Sequence, residues 1–133
     1  EYLIDLGKAL PPLDDAYKTD TYKIRGCQSQ VWIRSTLQDG AVVYEGDSDA
    51  LITRGLVALL VGVLSGQPPR AVAEADLAFI DRIGMQEHLS PTRKNGLASM
   101  IRQMKLYAAA LAATEGNTKG NTEGHEAPAA QPN

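Results

Sequence analysis

The dipeptide Asp39-Gly40, set between two runs of alternating apolar and polar residues, constrains this chain more than any other feature. A two-residue hairpin loop needs positive φ at both central positions, and Asp-Gly meets that need. Closing a hairpin there sets Leu37 opposite Val42, Ser35 opposite Tyr44 and Arg34 opposite Glu45. One face then collects Val31, Ile33, Leu37, Val42 and Tyr44. It must be the core face, since a slip by one residue would turn all five to solvent. Trp32 falls on the other face with Arg34, Thr36 and Val43, and is either covered by another segment or partly exposed.

Helical patterns surround this hairpin. Asp47-Ser48-Asp49 offers side-chain oxygens and negative charge to the start of a helix that runs from about Ala50 to Gly66, where Pro68-Pro69 stops it. Its apolar run over 56–64 is nine residues long, far short of the ~20 that span a bilayer, and predicts a central buried helix. Two short helical pieces are expected over 70–74 and 77–83. A last helix opens with Ser90 as cap and Pro91 at its first position, and Leu97, Met100, Ile101, Met104, Tyr107, Ala108 and Leu111 form its core stripe. Ahead of the hairpin, Leu3, Leu6 and Leu10 fall at helical spacing before Pro11-Pro12, and 22–25 reads as a short strand. The fold class is therefore α+β, a small antiparallel sheet packed against helices, with one domain over 1–113. Residues 114–133 are Gly, Asn, Thr, Glu, Pro and Ala in near-repeats, a composition expected to stay disordered, and His125 stands alone in it.

Charge narrows the function. The net charge is −3, with 13 basic residues spread among 16 acids, which argues against a nucleic-acid surface. Within the tail, Glu115, Glu123 and Glu126 against Lys119 account for −2 of it, so the domain is nearly neutral.

A single cysteine, Cys27, excludes an internal disulfide and a cysteine-cluster metal site. Gly26 before it frees the backbone to turn, and Gln28, Ser29 and Gln30 after it suit a loop rim better than a core strand. A buried inert thiol is the plain alternative. A hydrolytic nucleophile would need a base, and His88 is the only histidine ahead of the tail. An iron–sulfur scaffold would need several ligands. A sulfur acceptor needs one thiol, and an ordinary thiol is already a few per cent thiolate near neutral pH. Arg25 would raise that fraction if it turned toward the loop.

The blocks Gly26-Cys27-Gln28-Ser29-Gln30-Val31-Trp32, Gly46-Asp47-Ser48-Asp49-Ala50, Arg54-Gly55-Leu56 and His88-Leu89-Ser90-Pro91-Thr92-Arg93 with Gly96-Leu97 stand in the order found in the SufE family of sulfur acceptors. The chain resembles that family from about Tyr2 to about Leu111. The resemblance implies an IscU-like fold and a carrier rather than an enzyme, active in iron–sulfur cluster assembly. Such a carrier takes a persulfide sulfur from a cysteine desulfurase, activates that enzyme and passes the sulfur to a scaffold. It makes Cys27 the acceptor, with Gly26, Gln28 and Ser29 shaping its loop. Asp49, Arg93 and His88 match positions associated with partner binding or loop positioning, His88 also reading as a structural residue at the start of the last helix. The implied partners are a SufS-like or CsdA-like desulfurase and a SufBCD-like scaffold, with no nucleic acid and no membrane, in the cytoplasm. No cofactor of its own is implied, since pyridoxal phosphate belongs to the desulfurase. Two departures stand out: Glu87 replaces a neutral polar residue, and a further N-terminal helix is absent, as in a processed or truncated form. The alternative is an interaction module that regulates a desulfurase without carrying sulfur.

Overall fold

The computed structural model describes residues 2–76, 78–117 and 125–126. Helix α1 (Tyr2–Ala9) leads through a short 3-10 turn (Asp15–Tyr17) to β1 (Val31–Gln38) and β2 (Ala41–Ser48). Helices α2 (Leu51–Leu64), α3 (Pro69–Ala73), α4 (Ala78–Gln86) and α5 (Pro91–Asn117) follow, and β3 (His125–Glu126) closes the order.

The hairpin forms as its turn dictates. Asp39 and Gly40 take φ of 52° and 78°, and the register pairs Leu37 with Val42, Ser35 with Tyr44 and Arg34 with Glu45. Val31, Ile33, Leu37, Val42 and Tyr44 are all buried, and the whole α5 stripe from Leu97 to Leu111 lies in the same core. On the outer face Arg34 lies over the Tyr17 ring, 4.1 Å from its centroid, and Tyr17 meets Tyr22 edge-on. Trp32 is half-buried there, its backbone bridged to Lys23. The expected strand over 22–25 is thus a single bridge, with Ile24 N–H donating to Val31 O and Ile33 N–H to Tyr22 O.

The sheet's edges are partly covered. Residues 22–24 shield one end of β1, β3 pairs with Thr36 and Leu37 at the other, and Gln67 bridges Val42 on β2. Covering an edge removes the unpaired N–H and C=O groups that would template pairing with another chain. Two boundaries move as a result. Residues 114–117 extend α5, and 125–126 pair as β3, both inside the segment expected as a disordered tail; the rest of that segment lies outside the described residues. No helix among the described residues is long and apolar enough to cross a membrane.

Helix α2 buries Leu56, Val57, Leu60 and Leu64 but leaves Val63 and Leu51 nearly half exposed, so it is central on one face only. Glycine lets α1 cross it at backbone distance: a Cβ on Gly55 would lie 2.0 Å from Leu3 O.

The expected cap of α2 is a correction. β2 runs through Ser48, and the N-cap is Ala50, whose own side chain makes no cap bond, although Ser48 Oγ accepts from Ala50 N–H at 3.2 Å. Asp47 is instead 2% exposed and pairs with the Arg54 guanidinium and with Lys18 Nζ at 3.3 Å, while Leu13 N–H donates to it at 3.2 Å. Arg54 also donates to Gly7 O and Leu10 O, each at 2.7 Å. Burial alone would raise the Asp47 carboxyl, but the N–H groups of Leu13 and Ser48, the Arg54 charge and Lys18 together hold it below the usual carboxylate range.

A depressed folded value means stability that is present above the unfolded value of ~3.9 and lost as pH falls through the folded one. Asp47→Asn should cost about 3 kcal/mol at pH 7, the low end for breaking a buried pair, because Arg54 keeps some water contact. Its melting temperature should also vary less with pH than that of wild type between pH 5 and pH 2, as thermal melts across that range will show.

Candidate functional site

Gly26 carries φ of +90°, and a Cβ there would lie 2.5 Å from Ser99 Oγ on α5. Both the backbone angle and the close approach require glycine, and together they turn the chain onto α5. Cys27 follows, its Sγ donating to Gly96 O at 3.6 Å. Gln28 is exposed, and Ser29 reaches Thr53 Oγ1 on α2 at 3.5 Å.

Gln30 then fixes the loop's far end. Its N–H donates to Asp49 Oδ1 at 3.0 Å, and its carbonyl accepts from Ser48 Oγ at 2.7 Å and from Asp49 N–H at 3.3 Å. The loop is therefore bound tightly at Gln30 and only by long contacts around the thiol.

Beneath the thiol lies a cavity of about 50 Å³, lined by Cys27, Ser29, Thr53, Arg93, Gly96 and Met100 among others. Among the described residues no histidine or carboxylate lines it, so none of them stands beside the sulfur as a general base. The thiol is half-buried, and burial pushes it up to about 11. Near neutral pH the resting thiol is therefore mostly protonated, with a smaller thiolate fraction than an ordinary thiol. Arg25, two residues away, is exposed.

The structure thus brings Gly26, Cys27, Gln28, Ser29 and Arg93 together. Arg93 is exposed at the cavity, with no carboxylate paired to its guanidinium among the described residues. Asp49 braces the loop through Gln30 and does not line the cavity. His88 is elsewhere, exposed at the corner between α4 and α5 with φ of +55°. Its N–H donates to Met85 O at 3.3 Å and Leu89 N–H to Gly84 O at 2.9 Å, the paired bonds of a Schellman helix end. Five lining residues were not among the expected site residues: Thr53, Leu56, Thr92, Gly96 and Met100. A polar residue on the buried face of an apolar helix was the available signal for Thr53. Among the described residues no group of three or more His, Cys, Asp or Glu side chains could hold a metal ion.

One thiol, no adjoining base and a cavity the size of a few atoms define a single-thiol α+β domain. The chain belongs to the SufE family: residues 1–108 match the family described as "SufE: Fe-S metabolism associated domain". It is 45% identical over 106 residues to SufE-like protein 1, chloroplastic/mitochondrial, of Arabidopsis thaliana, covering 79% of this chain and 29% of that protein. An uncharacterised SufE-like protein of Synechocystis is 42% identical over 110 residues, covering 83% of this chain and 69% of that one. A solution structure of a hypothetical protein from Thermus thermophilus shares the fold, with a TM-score of 0.68 at 21% identity over 81% of this chain and 79% of that one.

Two outcomes test this geometry. Alkylation of Cys27 in the isolated protein should accelerate about tenfold per pH unit up to about pH 11, where a free thiol would level off near 8.5. Replacing His88 by glycine should raise stability by up to about 1 kcal/mol, because a left-handed residue loses its Cβ penalty; a thermal melt reads it.

Proposed function

We propose that this protein is a sulfur carrier: Cys27 accepts a sulfane sulfur from a cysteine desulfurase, activates that enzyme by removing its product, and delivers the sulfur to an iron–sulfur scaffold. The observation that carries the reading is the lone thiol in a cavity without a base. Family membership in iron–sulfur metabolism supports it.

The transfer needs no oxidant. The Cys27 thiolate attacks the outer sulfur of the donor persulfide, a new S–S bond forms, the donor's S–S bond breaks, and its electron pair leaves on the donor cysteine, which takes up the proton Cys27 gave up. Burial opposes the first step, because the resting thiol is almost wholly protonated. Docking that lifts the loop about Gln30 breaks the long contacts at Gly96 and Thr53 and the packing of Cys27 on the core, and returns the sulfur to water. The carrier is thus inert alone and reactive on its partner. Arg93 and Asp49 are assigned to that docking face, both being exposed. The guanidinium of Arg93 suits a partner carboxylate through bidentate bonds. His88 is assigned to the helix corner alone. The carrier holds no cofactor, and pyridoxal phosphate acts within the desulfurase.

Incubating the protein with a SufS-like desulfurase and cysteine, without reductant, should add one sulfur to Cys27 by mass spectrometry and speed alanine release. Cys27→Ser should gain no sulfur and lose the acceleration. Acceleration without sulfur on Cys27 would replace the carrier with a regulatory module.

A further inference from the structure

Helix α5 continues well past the cavity on its solvent side. A Cβ on Gly26 would lie 2.5 Å from Ser99 Oγ, so the chain ahead of the thiol rests on α5 at Ser99, one turn beyond Gly96. Arg102 comes three residues later and donates to Ser99 Oγ at 3.3 Å. Leu106 is four residues further on, and at seven residues from Ser99 it stands on the same side of the helix. Arg102 is exposed and Leu106 is 62% exposed, whereas Ile101, Met104 and Tyr107 beside them in sequence are buried in the core. Arg25, next to Gly26 in the chain, is exposed as well.

The charge along this side is unbalanced. Among the described residues no carboxylate pairs with Arg25, Arg93 or Arg102. Lys94 is offset by Asp81 at 3.3 Å, and Asp49 accepts from Gln30 N–H at the far end of the loop. Three guanidinium groups without a carboxylate therefore belong to the stretches that meet at Gly26, Cys27 and Ser99, in a chain whose net charge is −3.

Anything that brings sulfur to Cys27 must cover this ground. A standard interface buries ~800 Å² of each partner, equivalent to a disc about 16 Å in radius. At ~1.5 Å per residue, Arg102 lies about 9 Å along α5 from Gly96 and Leu106 about 15 Å, so the first falls inside such a footprint and the second at its rim. Resting on the carrier reading, we propose that Arg25, Arg102 and Leu106 extend the docking face along α5, and that the desulfurase meets them with an acidic surface that also covers the leucine. The arginines act by long-range attraction, which speeds encounter and fades with salt. The leucine acts only in contact and slows departure.

The test measures binding kinetics of the full chain with a SufS-like desulfurase, beside mass spectrometry of Cys27 after cysteine is added. Arg25→Glu combined with Arg102→Glu should slow association about tenfold at ~50 mM salt and by less than about twofold at ~1 M, where screening acts within ~3 Å. Leu106→Ser should speed dissociation about fivefold at either salt, the scale of losing about 40 Å² of buried apolar area. Arg70→Glu, on α3 just after the Gln67 bridge to Val42, should match wild type, and thermal melts should show every variant folded. Association of the double variant at the wild-type rate in low salt, with wild type still loading sulfur, would overturn the extended face and leave the carrier standing. A slowing that persists undiminished in high salt, or an equal slowing by Arg70→Glu, would overturn it too. Wild type that binds the desulfurase but gains no sulfur on Cys27 would overturn the carrier reading, with the extended face still judged by the same rates.

Discussion

The buried carboxylate of Asp47 is the point on which the fold turns. Through Arg54 it ties β2 to α2 and to the carbonyl end of α1, and through Leu13 and Lys18 it ties down the segment after α1. A buried charge is tolerable only when so satisfied, and its loss would leave the Arg54 guanidinium with only the Gly7 and Leu10 carbonyls. Ser48 and Asp49, the next two residues, hold Gln30. The same stretch of chain therefore anchors the domain and sets the far end of the reactive loop.

What could be read from sequence was what depended on near neighbours. The hairpin register followed from Asp39-Gly40 and a period of two, and the α5 stripe from a period of 3.6; both were correct. Asp47 was misread because a carboxylate before an apolar helix satisfies the capping rule equally well, and only the fold shows Arg54 claiming it. The Cys27 thiolate fraction was misread for a similar reason. The burial comes from α5, a segment far along the chain, and a loop of glycine and polar residues gives no hint of it. His88 takes a left-handed angle that local rules reserve mostly for glycine or asparagine. Thr53 was legible only as an oddity in an apolar run.

Burial gives the thiol two properties that act in opposite directions. It suppresses the thiolate, and it limits how much of the sulfur water and small thiols can reach. The loop is fastened by short bonds at Gln30, and around the thiol by long contacts and the packing of Cys27 on the core.

Helix α5 gives the molecule two ends. Its first turns, at Thr92, Arg93 and Gly96, form the wall beside the sulfur, and its 27 residues extend about 40 Å away from them. The last described strand, β3, pairs at Thr36 and Leu37, toward the hairpin turn and away from the end of β1 that leads out of the Cys27 loop. A label attached at β3 itself would therefore lie toward the hairpin-turn end of the sheet, away from the loop that carries the sulfur.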